Sequence, residues 1–211
     1  MIKRSVPGYE SVVAMTGLLA THYAKPNTHA YDLGCSLGAS TLSMASRVPE
    51  NCKIIAADNS SAMIAELGSL LKGQPEEQSI QLIEKDIRDL ELTNASFVAM
   101  NFTLQFVPLE DRTTLIKKIA DALHPGGALL VSEKIEVEDA EMNTAFIDAH
   151  HEFKKRQGYS ELEIAQKRQA IENVLIPETI KAHQERFVEA GFKTSAVWFQ
   201  CLNFCSLIAL K

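Results

Sequence analysis

The sequence predicts an α/β fold: a mostly parallel seven-stranded sheet with a C-terminal antiparallel hairpin and a helical insertion at about residues 136–175. Three observations predict it. Short apolar runs alternate with helix-period segments through residue 133. A glycine-bearing turn, Gly34 to Gly38, joins the first run to the helix after it. The last stretch holds two strand-like runs separated by Leu202-Asn203, a link short enough for a hairpin.

The elements follow in order. Residues 10–24 read as a helix with Val12, Val13, Met15, Leu18, Leu19 and Tyr23 near one face, stopped by Pro26-Asn27. Residues 30–33 form a first strand and 39–48 a helix closed by Pro49. Residues 53–57 make a second strand, and Asp58-Asn59-Ser60 leads into a helix over 61–72 that Gly73 and Pro75 stop. Residues 79–83 and 96–100 give the third and fourth strands. A helix over 111–123 has Asp111 as its N-cap candidate, and His124-Pro125-Gly126-Gly127 turns into a fifth strand over 128–133. Strands alternating with helices imply right-handed crossovers and a parallel sheet covered on both faces.

After residue 133 the rhythm changes. Residues 136–175 read as wholly helical and polar, broken at Gly158, with Ser160-Glu161-Leu162-Glu163 as a capping box. Pro177 opens another helix that ends at Gly191-Phe192, and strands over 195–200 and 204–210 complete the chain. At 211 residues, residues 1–211 suit one domain.

Composition narrows the function. Apolar residues are 46% and charged residues 23%, enough for one continuous core. The net charge of −6 disfavours direct nucleic-acid binding, which needs a basic surface. The densest basic cluster, Lys154-Lys155-Arg156, reads as a solvated helix face. No apolar run is long enough to span a bilayer, and the first residues show no signal-peptide core, so a cytoplasmic location is expected. Cys35, Cys52, Cys201 and Cys205 lack zinc-ligand spacing and read as reduced, mostly buried thiols, with no metal site.

Asp32-Leu33-Gly34-Cys35-Ser36-Leu37-Gly38 lies where a strand hands over to a helix. Small residues there let a ligand approach the backbone, and the following helix N-terminus offers free N–H groups. The spacing is not G-x-G-x-x-G, so a dinucleotide fits poorly. The order acid-x-Gly-x-x-x-Gly resembles class I S-adenosylmethionine-dependent enzymes, a Rossmann-like fold, which usually have glycine where this chain has Ser36. A tight turn that binds nothing would use the same residues.

Three further positions strengthen the ligand reading. Asp58 ends the second strand, where a carboxylate can accept both ribose hydroxyls; its plainer role is a helix N-cap, for which Ser60 competes. Asn59 is beside it, within reach of ribose or adenine. Asp86-Ile87 offers an acceptor and an apolar neighbour for adenine, and Asn101 ends the fourth strand. Placement at successive carboxyl ends obeys the crevice rule for open α/β sheets.

No paired prolines follow Asn101, as an amine-methylating Asn-Pro-Pro-Tyr motif would require, and no spacing nominates a strong base. His150-His151 reads as packed or solvated. A small-molecule methyltransferase and a non-catalytic S-adenosylmethionine-binding partner in tRNA modification both remain open on these grounds.

Longer segments carry a sharper resemblance. They are Arg4-Ser5-Val6-Pro7-Gly8-Tyr9, Tyr31 to Ala39, Asn101-Phe102-Thr103-Leu104-Gln105-Phe106, Gly158 to Ile164, Gln166-Lys167-Arg168 and Trp198-Phe199-Gln200-Cys201. With them the chain resembles the carboxy-S-adenosyl-L-methionine synthase family over nearly its whole length, and Ser36 fits that family. The resemblance implies conversion of S-adenosylmethionine and prephenate to carboxy-S-adenosylmethionine and phenylpyruvate. It implies a homodimer, and a functional link to a tRNA uridine carboxymethyltransferase that modifies wobble uridine. It implies cofactor contacts from Tyr9, Gly34, Cys35, Ser36, Asp58, Asn59, Asp86, Ile87, Asn101 and Arg168, and family members carry additional sequence ahead of the Arg4–Tyr9 stretch.

Within that resemblance, Arg168 is the cation chosen for the new carboxylate, its plainer role being a surface arginine on a capped helix; Tyr9, after a Pro-Gly turn, either lays its ring or hydroxyl over the ligand or packs the first helix onto the sheet. Arg4 is either a clamp for prephenate carboxylates or a mobile terminal charge.

Overall fold

The computed structural model describes residues 2–171 and 174–211, apart from the side chains of Lys167, Arg168, Ala170 and Ile171. Its centre is a seven-stranded sheet of order β3-β2-β1-β4-β5-β7-β6. The strands are β1 (His29–Leu33), β2 (Lys53–Asp58), β3 (Ile80–Glu84), β4 (Ala95–Asn101), β5 (Leu123–Lys134), β6 (Thr194–Cys201) and β7 (Phe204–Leu210). β1 to β5 pair in parallel; β7 runs antiparallel to both β5 and β6.

Helices cover both faces, which is why β1 and β4 are buried almost throughout. One face packs Ala30, Ile54, Phe97, Ala99 and Leu130 with residues of α1 (Tyr9–Tyr23), α2 (Ala39–Ala45) and α3 (Ser61–Leu71). The other packs Tyr31, Ile55, Val98, Met100 and Leu129 with α4 (Leu109–Ala122) and α7 (Ile180–Glu189). Strand neighbours point to opposite faces, so Phe97 and Val98 fall in different clusters. Between β5 and α7 lie α5 (Ala140–Arg156) and α6 (Glu161–Ile171).

Several local expectations are corrected. The buried face of α1 is Val12, Thr16, Gly17 and Ala20, while Met15 and Leu18 are exposed. The cause is close helix packing: a Cβ on Gly17 would sit 2.3 Å from the Ser43 carbonyl oxygen of α2. Small residues win that face over large ones. α2 stops at Ala45, short of residue 48. Asp111 is not a cap; Pro108 occupies that position, and Asp111 lies inside the first turn, 2.8 Å from Arg88.

The His124–Gly127 segment is not a turn ahead of β5 but an irregular part of it. Leu123 already pairs with Ala95, and the register then shifts before Ala128 meets Phe97. Residues 136–175 are not wholly helical: α5 starts at Ala140, capped by Asp139, whose side chain accepts the Met142 N–H. α7 is opened by Thr179, not Pro177, through a 3.1 Å bond from the Ala182 N–H. The predicted capping box forms: Glu163 Oε2 accepts the Ser160 N–H at 2.8 Å, and Ser160 Oγ accepts the Glu163 N–H at 3.2 Å.

Candidate active site at the carboxyl ends of β1 to β4

The strand order reverses between β1 and β4, and a crevice opens there. It encloses about 490 Å³, within the roughly 300–1,000 Å³ usual for small-molecule sites. Tyr9, Gly34, Cys35, Ser36, Asp58, Asn59, Asp86, Ile87 and Asn101 all line it. Arg168 belongs to α6, and its side chain lies outside the described residues.

The loop after β1 is shaped by backbone demands. Gly34 has φ +82°, and a Cβ there would sit 2.3 Å from Thr103 Oγ1. Gly38 has φ +78° at the N-cap of α2, and its Cβ would meet Leu67 at 2.4 Å. Both glycines are therefore required by the chain's own packing, before any ligand is considered. Ser36 is held at φ 48°, a left-handed conformation that glycine adopts at lower cost. That explains why glycine suits this position in other enzymes of the fold.

Asp58 ties two loops together. Its Oδ2 accepts the Ser36 N–H at 2.9 Å and its Oδ1 accepts the Ser60 N–H at 2.9 Å. The helix cap is Ser60, whose hydroxyl accepts the Met63 N–H. Each carboxylate oxygen keeps capacity for a second donor, as a ribose diol would supply.

Asp86 is gripped by Arg88, whose Nη2 donates to Oδ2 at 2.8 Å. That bond holds the Asp86 carboxyl below the usual carboxylate range. Arg88 also donates to Asp111 at 2.8 Å, which fixes it at the cavity rim. Asn101 is equally committed: its Nδ2 donates to Thr16 and Ser40 hydroxyls at 3.0 and 2.8 Å, and its Oδ1 accepts from Ser132 at 2.6 Å. It faces the cavity as a held amide in a buried network.

Tyr9 packs against Phe102, ring centroids 6.1 Å apart, and burial followed by the charge of Asp32 pushes its hydroxyl above the ordinary tyrosine value. A Cβ on Gly8 would strike the Phe199 ring, so the Pro-Gly turn brings Tyr9 in by letting α1 close on β6. Burial raises the Cys35 thiol well above its ordinary value, so it is no nucleophile.

Some cavity residues escaped the sequence reading. Asp32 was read only as the motif's acid, yet it lines the cavity, is 2% exposed and accepts the Thr41 hydroxyl at 2.6 Å. Burial pushes its carboxyl up to about 6. Phe102, Thr103 and Phe106 form the far wall. That wall is held from behind by Glu133, which accepts the Leu104 and Gln105 N–H groups at 2.8 and 3.0 Å. Arg112 holds it too, donating to the Gln105 and Val107 carbonyls at 3.1 and 2.9 Å. Position inside an apolar-period helix gave Arg112 no functional signal.

Other expectations resolve away from the cavity. Arg4 does not line this cavity and is not a mobile terminal charge: it is exposed, but its guanidinium donates to the Gln157 carbonyl and stacks 4.9 Å over the Tyr159 ring. His150 is packed, its Nε2 2.8 Å from the Ser5 carbonyl and its ring edge-on to Phe204. All four cysteines are free, three of them buried. Among the described residues no cluster of His, Cys, Asp and Glu could hold a metal ion, and no helix is long and apolar enough to cross a membrane.

A methyltransferase-domain family model matches residues 30–127. The carboxy-S-adenosyl-L-methionine synthase of Aliivibrio fischeri is 52% identical over all of this chain and 88% of its own length. The chain belongs to the carboxy-S-adenosyl-L-methionine synthase family. The Vibrio campbellii synthase of that name is 51% identical over all of this chain and 86% of its own. The solved magnesium protoporphyrin IX methyltransferase of Synechocystis superposes with a TM-score of 0.64 at 13% identity, over 97% of this chain and 80% of that one. The fold is thus that of the S-adenosylmethionine-dependent methyltransferases.

Proposed function

We propose that this protein is a carboxy-S-adenosyl-L-methionine synthase that converts S-adenosylmethionine and prephenate to carboxy-S-adenosylmethionine and phenylpyruvate. The single observation that carries the reading is the convergence of nine family-matched residues on one cavity at the switch point of the sheet. Family membership over the full chain supports the same choice.

Each residue takes a role its surroundings support. Asp58 accepts the ribose hydroxyls beside its two backbone donors. Asp86 and Ile87 flank the adenine, with Arg88 orienting the carboxylate. Asn59 serves the ribose side. Gly34, Cys35 and Ser36 give backbone to the methionine half, and Asn101 presents its amide plane there. Tyr9 closes over the ligand. For Arg168, whose side chain lies outside the described residues, the family resemblance alone assigns the new carboxylate.

The reaction balances without a protein base. Prephenate aromatises to phenylpyruvate as it releases carbon dioxide and hydroxide. The hydroxide takes a proton from the methyl group next to the sulfonium and becomes water. The resulting carbanion adds to the carbon dioxide. The protein's contribution is to keep both reactants together in a dry site. Phe102 and the half-buried Tyr9, packed together on one side of the cavity, help exclude water there. The product would serve a tRNA uridine carboxymethyltransferase, in the cytoplasm, from a homodimer of this chain.

Incubation with S-adenosylmethionine and prephenate, followed by mass spectrometry, tests the reading. The expected product is the nucleoside carrying one added carboxyl group. S-adenosylhomocysteine with a methylated acceptor would replace it by a methyltransferase, and binding without turnover by a non-catalytic module. Arg168→Ala should lower both turnover and product affinity; unchanged values for both would remove Arg168 from the site.

A further inference from the structure

A second cavity of about 410 Å³ adjoins the first, and Ile2, Phe102 and Phe106 line both as an apolar partition. Phe102 is the buried member, 9% exposed. Its ring stands between the two spaces: the centroid lies 6.1 Å from that of Tyr9, in the first, and 6.3 Å from that of Phe204, in the second. The backbone under that ring is strained. Phe102 has φ 60°, a left-handed conformation that a large side chain adopts only where its surroundings impose it. The Phe102 N–H donates to the Ser132 carbonyl at 2.6 Å, which fixes one end of the loop. The other end rests on Glu133, the next residue of β5, which accepts the Leu104 N–H with one oxygen and the Gln105 N–H with the other. Arg112 holds only carbonyls of this wall, so the N–H side falls to Glu133. Glu133 is 1% exposed and lines neither cavity. An acid buried so deeply is costly unless its oxygens are bonded, and both oxygens go to this loop.

We propose that Glu133 is a positioning residue for the reaction: by holding the loop from Phe102 to Gln105 it keeps the strained Phe102 ring across the boundary, so that carbon dioxide released in the first cavity meets the methyl carbanion before it escapes into the second. The proposal deepens the function proposed above and rests on it. Carbon dioxide is uncharged, so no ion pair retains it and only a closed wall does. Phe102 directly follows Asn101, which that function sets against the methionine half, so the ring stands at the methyl end. Beyond the ring, Val6, Ile147, Leu175 and Phe204 line a space that takes up an apolar molecule readily. With the wall in place, every phenylpyruvate is matched by one carboxylated nucleoside. With the wall displaced, carbon dioxide leaves and the carbanion takes a proton back from water. S-adenosylmethionine is then regenerated, and the net change is prephenate to phenylpyruvate, carbon dioxide and hydroxide.

The test uses the whole protein and counts phenylpyruvate and carboxylated nucleoside by mass spectrometry, with the uncatalysed conversion of prephenate subtracted. S-adenosylmethionine affinity is measured by calorimetry without prephenate. The wild type should give the two products in equal amounts. Glu133→Met keeps an unbranched stem and removes both acceptors. It should give at least about threefold more phenylpyruvate than carboxylated nucleoside, with S-adenosylmethionine affinity within about threefold of the wild type. Glu133→Gln keeps one acceptor and should fall between the two. Phe102→Ala removes the ring while Glu133 stays, and should leak as Glu133→Met does. In deuterated water each leak should place deuterium on the methyl group of the recovered S-adenosylmethionine. A purely structural role would lower both products together and leave their ratio at one. Unfolding of Glu133→Met leaves Glu133→Gln and Phe102→Ala to decide. A wild type that turns over, with equal products and no deuterium in the folded variants, would overturn the positioning role and leave the function standing. A wild type that binds S-adenosylmethionine and makes no carboxylated nucleoside would overturn both.

Discussion

The cavity at the ends of β1 to β4 is walled by three carboxylates, Asp32, Asp58 and Asp86, and one guanidinium, Arg88. Its neighbour is walled by Lys134, His151 and Lys154, with no carboxylate among the described residues. The first therefore suits a cationic sulfonium ligand. The two also differ in construction. The first is built from tight turns after consecutive strands, tied by short backbone bonds such as Ser36 to Asp58. The second is assembled from pieces far apart in the chain, joined by Arg4 to Gln157, Ser5 to Tyr159 and His150 to Ser5. A local turn can be read from adjacent residues; a long-range joint cannot.

Arg112 is the place to break both halves together. It is fully buried, and its guanidinium spans the Gln105–Val107 wall, the Ile176 carbonyl and Glu178. Among the described residues Arg112→Met leaves the Glu178 side chain with only Arg186 and strands buried carbonyls. Removing one member of a buried ion pair costs about 3–5 kcal/mol. Chemical denaturation should show a loss of that size, and both ligands should bind more weakly. A loss below about 1 kcal/mol would mean that the wall stands without it.

Asp58 should separate the two substrates. Asp58→Ala removes the acceptor for two backbone N–H groups and, under the proposed reading, for the ribose. Loss of a charge-assisted bond of about 1.5–3 kcal/mol predicts an affinity for S-adenosylmethionine weaker by roughly 10- to 150-fold in calorimetry. The prephenate KM, taken at saturating S-adenosylmethionine, should change far less. Equal losses on both would merge the two sites into one.

His150 sharpens the comparison through pH. Its native value of about 4 lies below the ordinary 6.5, with burial the main cause. The unfolded chain therefore binds more protons between those values, and stability rises with pH across that window. The contribution is fully present above about 6.5 and is lost as pH falls through about 4. Thermal melts should show a shallower acid loss in His150→Gln than in the wild type. Parallel curves would mean that His150 is not held neutral against the Ser5 carbonyl.

Much of the first half was legible in the sequence because its physics is local. The alternation of apolar runs gave the strands, since β1 and β4 are buried on both faces. The small residues from Gly34 to Gly38 marked the turn, although the structure gives two of them packing duties with Thr103 and Leu67. The α1 face was misread because a close helix pair rewards Thr16, Gly17 and Ala20 over larger apolar neighbours. The His124–Gly127 segment looked like a turn because glycine and proline also serve strand irregularities. Arg112 and Glu133 were illegible for a different reason: a buried charge is recognisable only once its distant partners are known. Lys154 looked like its exposed neighbours Lys155 and Arg156, because consecutive residues of one helix turn point in different directions.

The most direct measurement is a crystal structure of the protein grown with S-adenosylmethionine. The account predicts ribose hydroxyls on Asp58, adenine between Asp86 and Ile87, and the sulfonium methyl directed at the partition formed by Phe102 and Phe106. A cofactor seated elsewhere, or a methyl group turned from that partition toward solvent, would contradict it.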